Sequence, residues 1–141
     1  MDNNTRADFA ILNPISEKEA LSLHPMSLAF VGDAVQSLYT RSFVTIGSDT
    51  KTGMLHREVT KHVSAVAQAA ASERIHPLLN ETEADVFRRA RNCHIQTSAK
   101  HAERGEYRKA SGLEAVLGYL YLTGQNDRLK LFLDMTVGGE Q

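Results

Sequence analysis

The stretch AFVGDAVQSLY, residues 29–39, decides how the chain is read. Around it Leu28, Val31, Val35 and Leu38 recur three or four positions apart, the spacing of one face of an α-helix running from Met26 to about Val44. Asp33 falls nearly opposite that stripe, yet its neighbours at helical spacing, Met26, Ala29 and Phe30, are apolar as well. A helix apolar on both sides is buried on both sides. That predicts a partly desolvated Asp33, and a carboxylate there is costly unless a cation or hydrogen-bond donors compensate. Gly32 adds a second signal: glycine inside a helix costs about 1 kcal/mol relative to alanine, so something is expected to approach the backbone closely.

A helix of the same kind is predicted from about Tyr107 to Leu122, with Ala110, Leu113, Val116, Leu117, Leu120 and Tyr121 as its buried face. Glu114 lies at the edge of this face, and Gly118 follows one turn later. If the two helices cross at their glycines, Asp33 and Glu114 converge. Such a pair suits a hard divalent cation, since Mg²⁺ takes oxygen ligands and keeps several waters. The alternative is two unrelated acids, one exposed and one paired to an arginine.

The rest of the chain reads as helices and their punctuation. Ser16 and Glu19 have capping-box spacing, and His24-Pro25 interrupts the short helix they start. Leu55, Val59, Val63, Val66 and Ala70 predict one amphipathic helix from about Thr52 to Ile75. After His76-Pro77, Thr82 and Asp85 are candidate caps for a helix carrying Val86, Phe87 and Ala90, and residues 93–106 read as a long loop. Asp127 is a candidate cap for a last helix with Leu129, Phe132, Leu133 and Met135, ended by Gly138-Gly139. No strand or repeat is predicted. The expectation is an all-α fold of about six or seven helices: one domain over residues 14–137, a flexible lead-in over 1–13 and a short tail over 138–141.

Composition limits the functional classes. A chain of 141 residues is one ordinary domain, large enough for a core without disulfides. Sixteen Lys and Arg against seventeen Asp and Glu exclude a strongly basic nucleic-acid binder. Any polyanion site must be local, and between Arg88 and Lys109 seven basic residues face only Glu103 and Glu106. Phosphate backbones bind such clusters with little demand on base sequence; a solvated face is the plainer reading. A single cysteine, Cys93, suits a reducing compartment, and no secretory h-region or membrane span is evident, so a cytoplasmic protein without membrane association is expected. The six histidines form no zinc spacing and read as surface or phosphate-facing. A GxSxG elbow, a Walker loop and a dinucleotide fingerprint are all missing.

Three ordered stretches carry a family resemblance. AFVGDAVQSLY at 29–39 resembles the signature helix of the ribonuclease III family, GLEAVLGYLYL at 112–122 resembles its second acidic motif, and GMLHREVTKHVSAVAQAAA at 53–71 is similar to the helix between them. The 27 residues after Glu114 are too few for the double-stranded-RNA-binding domain that usually follows, so the likeness is to the compact branch, Mini-ribonuclease III.

This resemblance implies an all-helical, homodimeric endonuclease of double-stranded RNA. It would depend on Mg²⁺, with Mn²⁺ as a substitute, and leave 5′-phosphate and 3′-hydroxyl ends. Asp33 and Glu114 match the family's catalytic, metal-binding acids. Met26, Ala29 and Ser111 stand where longer members carry further acids, which leaves the number of ions open. Candidate RNA contacts, taken from charge and position, are Arg57, Lys61, Arg91, Lys100, Arg104 and Arg108. The physiological role implied is maturation of the large-subunit (23S) ribosomal RNA precursor, with a large-subunit ribosomal protein as a helper. The competing reading is an inactive helical RNA-binding or ribosome-assembly module; a small-molecule phosphohydrolase lacks a paired His-Asp motif.

Overall fold

Side-chain caps start the first helices. Ser16 Oγ accepts from the Glu19 amide at 3.0 Å and opens α1 (Glu17–Leu21). His24 Nδ1 accepts from the Met26 amide at 3.0 Å ahead of α2 (Pro25–Ile46), whose leading proline sits where its missing N–H is not needed. There follow α3 (Thr52–Val63), α4 (Ala65–Ile75), a 3₁₀ turn (His76–Leu78), α5 (Glu81–Arg91), α6 (His101–Leu122) and α7 (Asn126–Val137). The computed structural model describes residues 13–47, 52–93 and 101–138, without the side chains of residues 52, 53 and 101–104. Seven α-helices and no strand are present among the described residues. The predicted lead-in and tail, except Asn13 and Gly138, lie outside them.

The core is built around α6. It packs most extensively on α2, then on α5 and α4. Its inward residues Ala110, Leu113, Val116, Leu117 and Leu120 are buried as the periodicity predicts, and Tyr121 is half-buried. Val86, Phe87 and Ala90 of α5 and Leu129, Phe132 and Leu133 of α7 close the core around it.

The α2–α6 contact is backbone against backbone. A Cβ added to Gly32 would collide with the Glu114 carbonyl, and one added to Gly118 would collide with the carbonyl of Leu28. The two glycines therefore let the helix axes approach closer than any side chain allows, which explains why both interiors tolerate the helix penalty of glycine.

Several sequence expectations are corrected. The buried stripe of α2 runs through Leu28, Gly32, Val35, Gln36, Thr40 and Val44, while Leu38 is 55% exposed. Gly32 stands in this stripe because the backbone of α6 leaves no room there for a side chain. The segment from Thr52 to Ile75 is two helices: Ser64 has extended backbone and accepts from the Ala67 amide at 3.2 Å, capping α4. Val66, expected inside, is 62% exposed.

α5 is capped by Asn80 with Glu83, not by Thr82 with Asp85. Glu83, fully buried, also receives both nitrogens of an Arg128 fork, which compensates its desolvation. Gln125, not Asp127, occupies the N-cap of α7. Finally, α6 begins at His101, inside the segment read as a loop. Its first turns are largely charged, include Gly105 and have no apolar period, so patterning missed them.

Gly32→Ala and Gly118→Ala are each expected to destabilise the protein by about 3 kcal/mol or more, because no rotamer change relieves a clash with backbone. Urea denaturation reads this directly.

Candidate active site

The glycine crossing fixes the site. Asp33 follows Gly32 on α2, and Glu114 precedes Gly118 by one turn on α6, so the contact that brings the backbones together brings the two carboxyl groups within hydrogen-bonding reach. Asp33 is exposed and Glu114 half-buried. The expectation of a partly desolvated Asp33 is thereby corrected: this chain leaves the outer face of α2 uncovered, and it is Glu114 that loses water. Asp33 opens onto a cleft of about 510 Å³ lined also by Phe30, Ala34, Leu38 and Tyr121.

Behind Glu114 stands a pair of buried amides that sequence reasoning missed. Gln68 of α4 donates from Nε2 to Glu114 Oε2 at 3.0 Å and to Gln36 Oε1 at 2.6 Å. Gln36 of α2 in turn donates to the His62 carbonyl at 3.3 Å. Gln36 is 0% and Gln68 4% exposed. A signal existed: Gln36 shares the Gly32 and Thr40 face at four-residue spacing, so an amide was predictable wherever that face was buried.

Burial pushes the Glu114 carboxyl up to about 7; the Gln68 hydrogen bond opposes this, and the neighbouring charge of Asp33 adds to it. Two acids sharing a space without a cation behave this way, and a divalent ion would reverse the balance. Among the described residues no group of three or more His, Cys, Asp or Glu could hold a metal. The donor set is thus two carboxylates with an amide behind, which fits a hard cation that keeps most of its waters. Met26 is half-buried, while Ala29 and Ser111 are buried, and of the three only Ser111 carries a side-chain oxygen.

The basic residues are dispersed. Arg57 and Arg108 are exposed; Lys61 is exposed and pairs with Glu58 at 2.9 Å. Arg91 is half-buried and donates to Asn92 at 3.3 Å. Lys100 and the Arg104 side chain lie outside the described residues. The charge excess counted along the chain is smaller in space, because Arg88 pairs with Asp85 and Lys109 with Glu73 of α4. The reading of the histidines as surface or phosphate-facing holds as to surface for His24 and His76, both exposed, which respectively cap α2 and set a ring edge-on to Phe87, while His62 is half-buried with its ring edge-on to Phe43. No helix among the described residues is long and apolar enough to cross a membrane.

Comparison with known proteins agrees with this architecture. Residues 26–125 match the family described as Ribonuclease III domain. A Mini-ribonuclease 3 from Thermoanaerobacter sp. is 46% identical over 87% of this chain and 87% of its own length. A Mini-ribonuclease 3 from Clostridium tetani is 36% identical over 86% of this chain and 82% of its own. The crystal structure of a protein from Fusobacterium nucleatum superposes with a TM-score of 0.73 at 26% identity, covering 83% of this chain and 93% of that one.

Glu114 takes its proton at about 7 when folded, against an ordinary 4.5. The folded state therefore holds the proton more tightly, and this group's contribution to stability is full at low pH and lost as pH rises from about 4.5 to about 7. Glu114→Gln keeps an acceptor for Gln68 without the charge. In chelator, its stability advantage over wild type should grow by about 2 kcal/mol between pH 5 and pH 8; thermal denaturation at the two pH values checks it.

Proposed function

Since the chain belongs to the ribonuclease III family, we propose that it is a Mg²⁺-dependent endoribonuclease that cuts double-stranded RNA and leaves 5′-phosphate and 3′-hydroxyl ends. The observation that carries this reading is the adjacency of Glu114 to Asp33, which itself lines an open cleft. Residues 14–137 act as one catalytic domain, and Asp33 and Glu114 are its catalytic and metal-binding residues. Mg²⁺, or Mn²⁺ in its place, supplies Lewis acidity toward water and the scissile phosphate.

The chain's own residues supply position. Asp33, exposed on α2, presents its carboxylate to the cleft. Glu114 is held from behind by Gln68, so its orientation does not depend on substrate. Arg57, Lys61, Arg91, Lys100, Arg104 and Arg108 are proposed to contact phosphates. A-form RNA hides its base edges in a deep groove, so selection rests on helical shape, phosphates and 2′-hydroxyls.

The exposed side of α2 supports a homodimer. Phe30, 80% exposed, and Leu38 share one face with Ala34 between them, directly beside Asp33. An apolar strip of this kind marks an interaction surface. A second copy covering it with the same strip closes a twofold contact and places two acid pairs on one molecule, one for each RNA strand. The substrate proposed is the 23S ribosomal RNA precursor, met in the cytoplasm with a large-subunit ribosomal protein presenting it.

Two outcomes are expected. Wild type cuts a defined RNA duplex with Mg²⁺, and Asp33→Asn abolishes cleavage while circular dichroism and dimer mass are unchanged; a wild type that binds duplex but cuts it with neither Mg²⁺ nor Mn²⁺ would instead be an RNA-binding module. Leu38→Asp shifts the dimer toward monomer in analytical ultracentrifugation and lowers cleavage by about tenfold or more, the size expected when an apolar anchor gains a charge.

A further inference from the structure

We propose that Gln36 and Gln68 are positioning residues: a two-amide relay, its polarity set by the backbone carbonyl of His62, locks the Glu114 carboxylate in one orientation for a divalent cation. The inference rests on the nuclease reading above for its purpose, and on hydrogen-bond geometry for its form.

The polarity follows from donors and acceptors alone. A backbone carbonyl can only accept, so Gln36 must present its Nε2 to His62, and does so at 3.3 Å. That turns Gln36 Oε1 toward Gln68, which has to answer with a donor, and its Nε2 lies 2.6 Å away. An amide nitrogen carries two hydrogens. The second goes to Glu114 Oε2 at 3.0 Å, so Gln68 cannot flip without setting its own oxygen against that of Gln36. One carboxylate oxygen is thereby engaged by a fixed donor, and the other is left for whatever shares the site with Asp33.

The His62 carbonyl is available because the helix stops there. α3 ends at Val63 and Ser64 opens α4, and carbonyls of a last helical turn have no partner within their own helix. The Ser64 amide takes the carbonyl of Thr60 at 3.1 Å, leaving that of His62 to Gln36. The break between α3 and α4 thus has a consequence two amides away, at the acid. Both glutamines are buried, so no water competes for these bonds, and an orphaned amide here would be costly.

Gln68→Met and Gln36→Met replace each amide by an unbranched chain of similar length. Two quantities are read: affinity for Mn²⁺ alone in RNA-free protein, by calorimetry, and kcat and KM for a defined RNA duplex with Mg²⁺. Each variant is expected to bind Mn²⁺ roughly 10–100-fold more weakly, the range for residues that orient metal ligands, and to lose kcat with KM for RNA little changed. Gln36 does not touch Glu114, so its effect separates a relay from a single contact. Wild-type Mn²⁺ affinity in both variants, with only a lowered Tm, would overturn the proposal, as would an effect confined to Gln68→Met. If the methionine variants do not fold, Gln68→Asn and Gln36→Asn, which keep the amide but fall one methylene short, are held to the same criteria. Should the wild type bind Mn²⁺ yet cut no duplex while the variants lose the ion, the nuclease reading fails and the relay stands.

Discussion

Everything in this molecule depends on how closely α2 and α6 approach. Gly32 and Gly118 face the backbone of the opposite helix with no space for a methyl group. Close packing of this kind gains dispersion along both backbones, but it also removes any freedom in where the residues beside the glycines point. Asp33 and Glu114 are those residues. The same contact that stabilises the fold therefore sets the spacing of the two acids.

Such an arrangement has an electrostatic cost in the absence of a cation. Glu114 is drawn out of water beside a second carboxyl, and its proton affinity rises accordingly. Among the described residues the donor that offsets this is Gln68. A protein selected for stability alone would place an uncharged residue here; an acid held in a costly place is what a site for a positive ligand requires. The buried Glu83 shows the contrast, since its carboxylate accepts from the Arg128 fork and from the Asn80 amide.

Much of this was legible in the residues. The two glycine-bearing apolar helices and the inward face of α6 follow from spacing, because large apolar residues at helical period leave little choice; the crossing at the glycines was one of two readings that spacing left open. What escaped was polar or local. Ser64 breaks a stripe that continues in sequence through Val63 and Val66, with neither proline nor glycine to announce it. α4 buries Gln68, Ala69, Ala71, Ser72 and Ile75, a face of mostly small or polar residues that gives a weak hydrophobic signal. Gln36 and Gln68 escaped because amides in helices are mostly exposed. Leu38 escaped for the opposite reason: an apolar side chain at core spacing faces outward.

The central claim is that Asp33 and Glu114 share one coordination sphere. Anomalous diffraction from crystals grown with Mn²⁺ tests it most directly. The account predicts a peak touched by carboxylate oxygens of both residues, with Gln68 still bonded to Glu114. A peak held by other residues, or one reaching only one of the two acids, would contradict it.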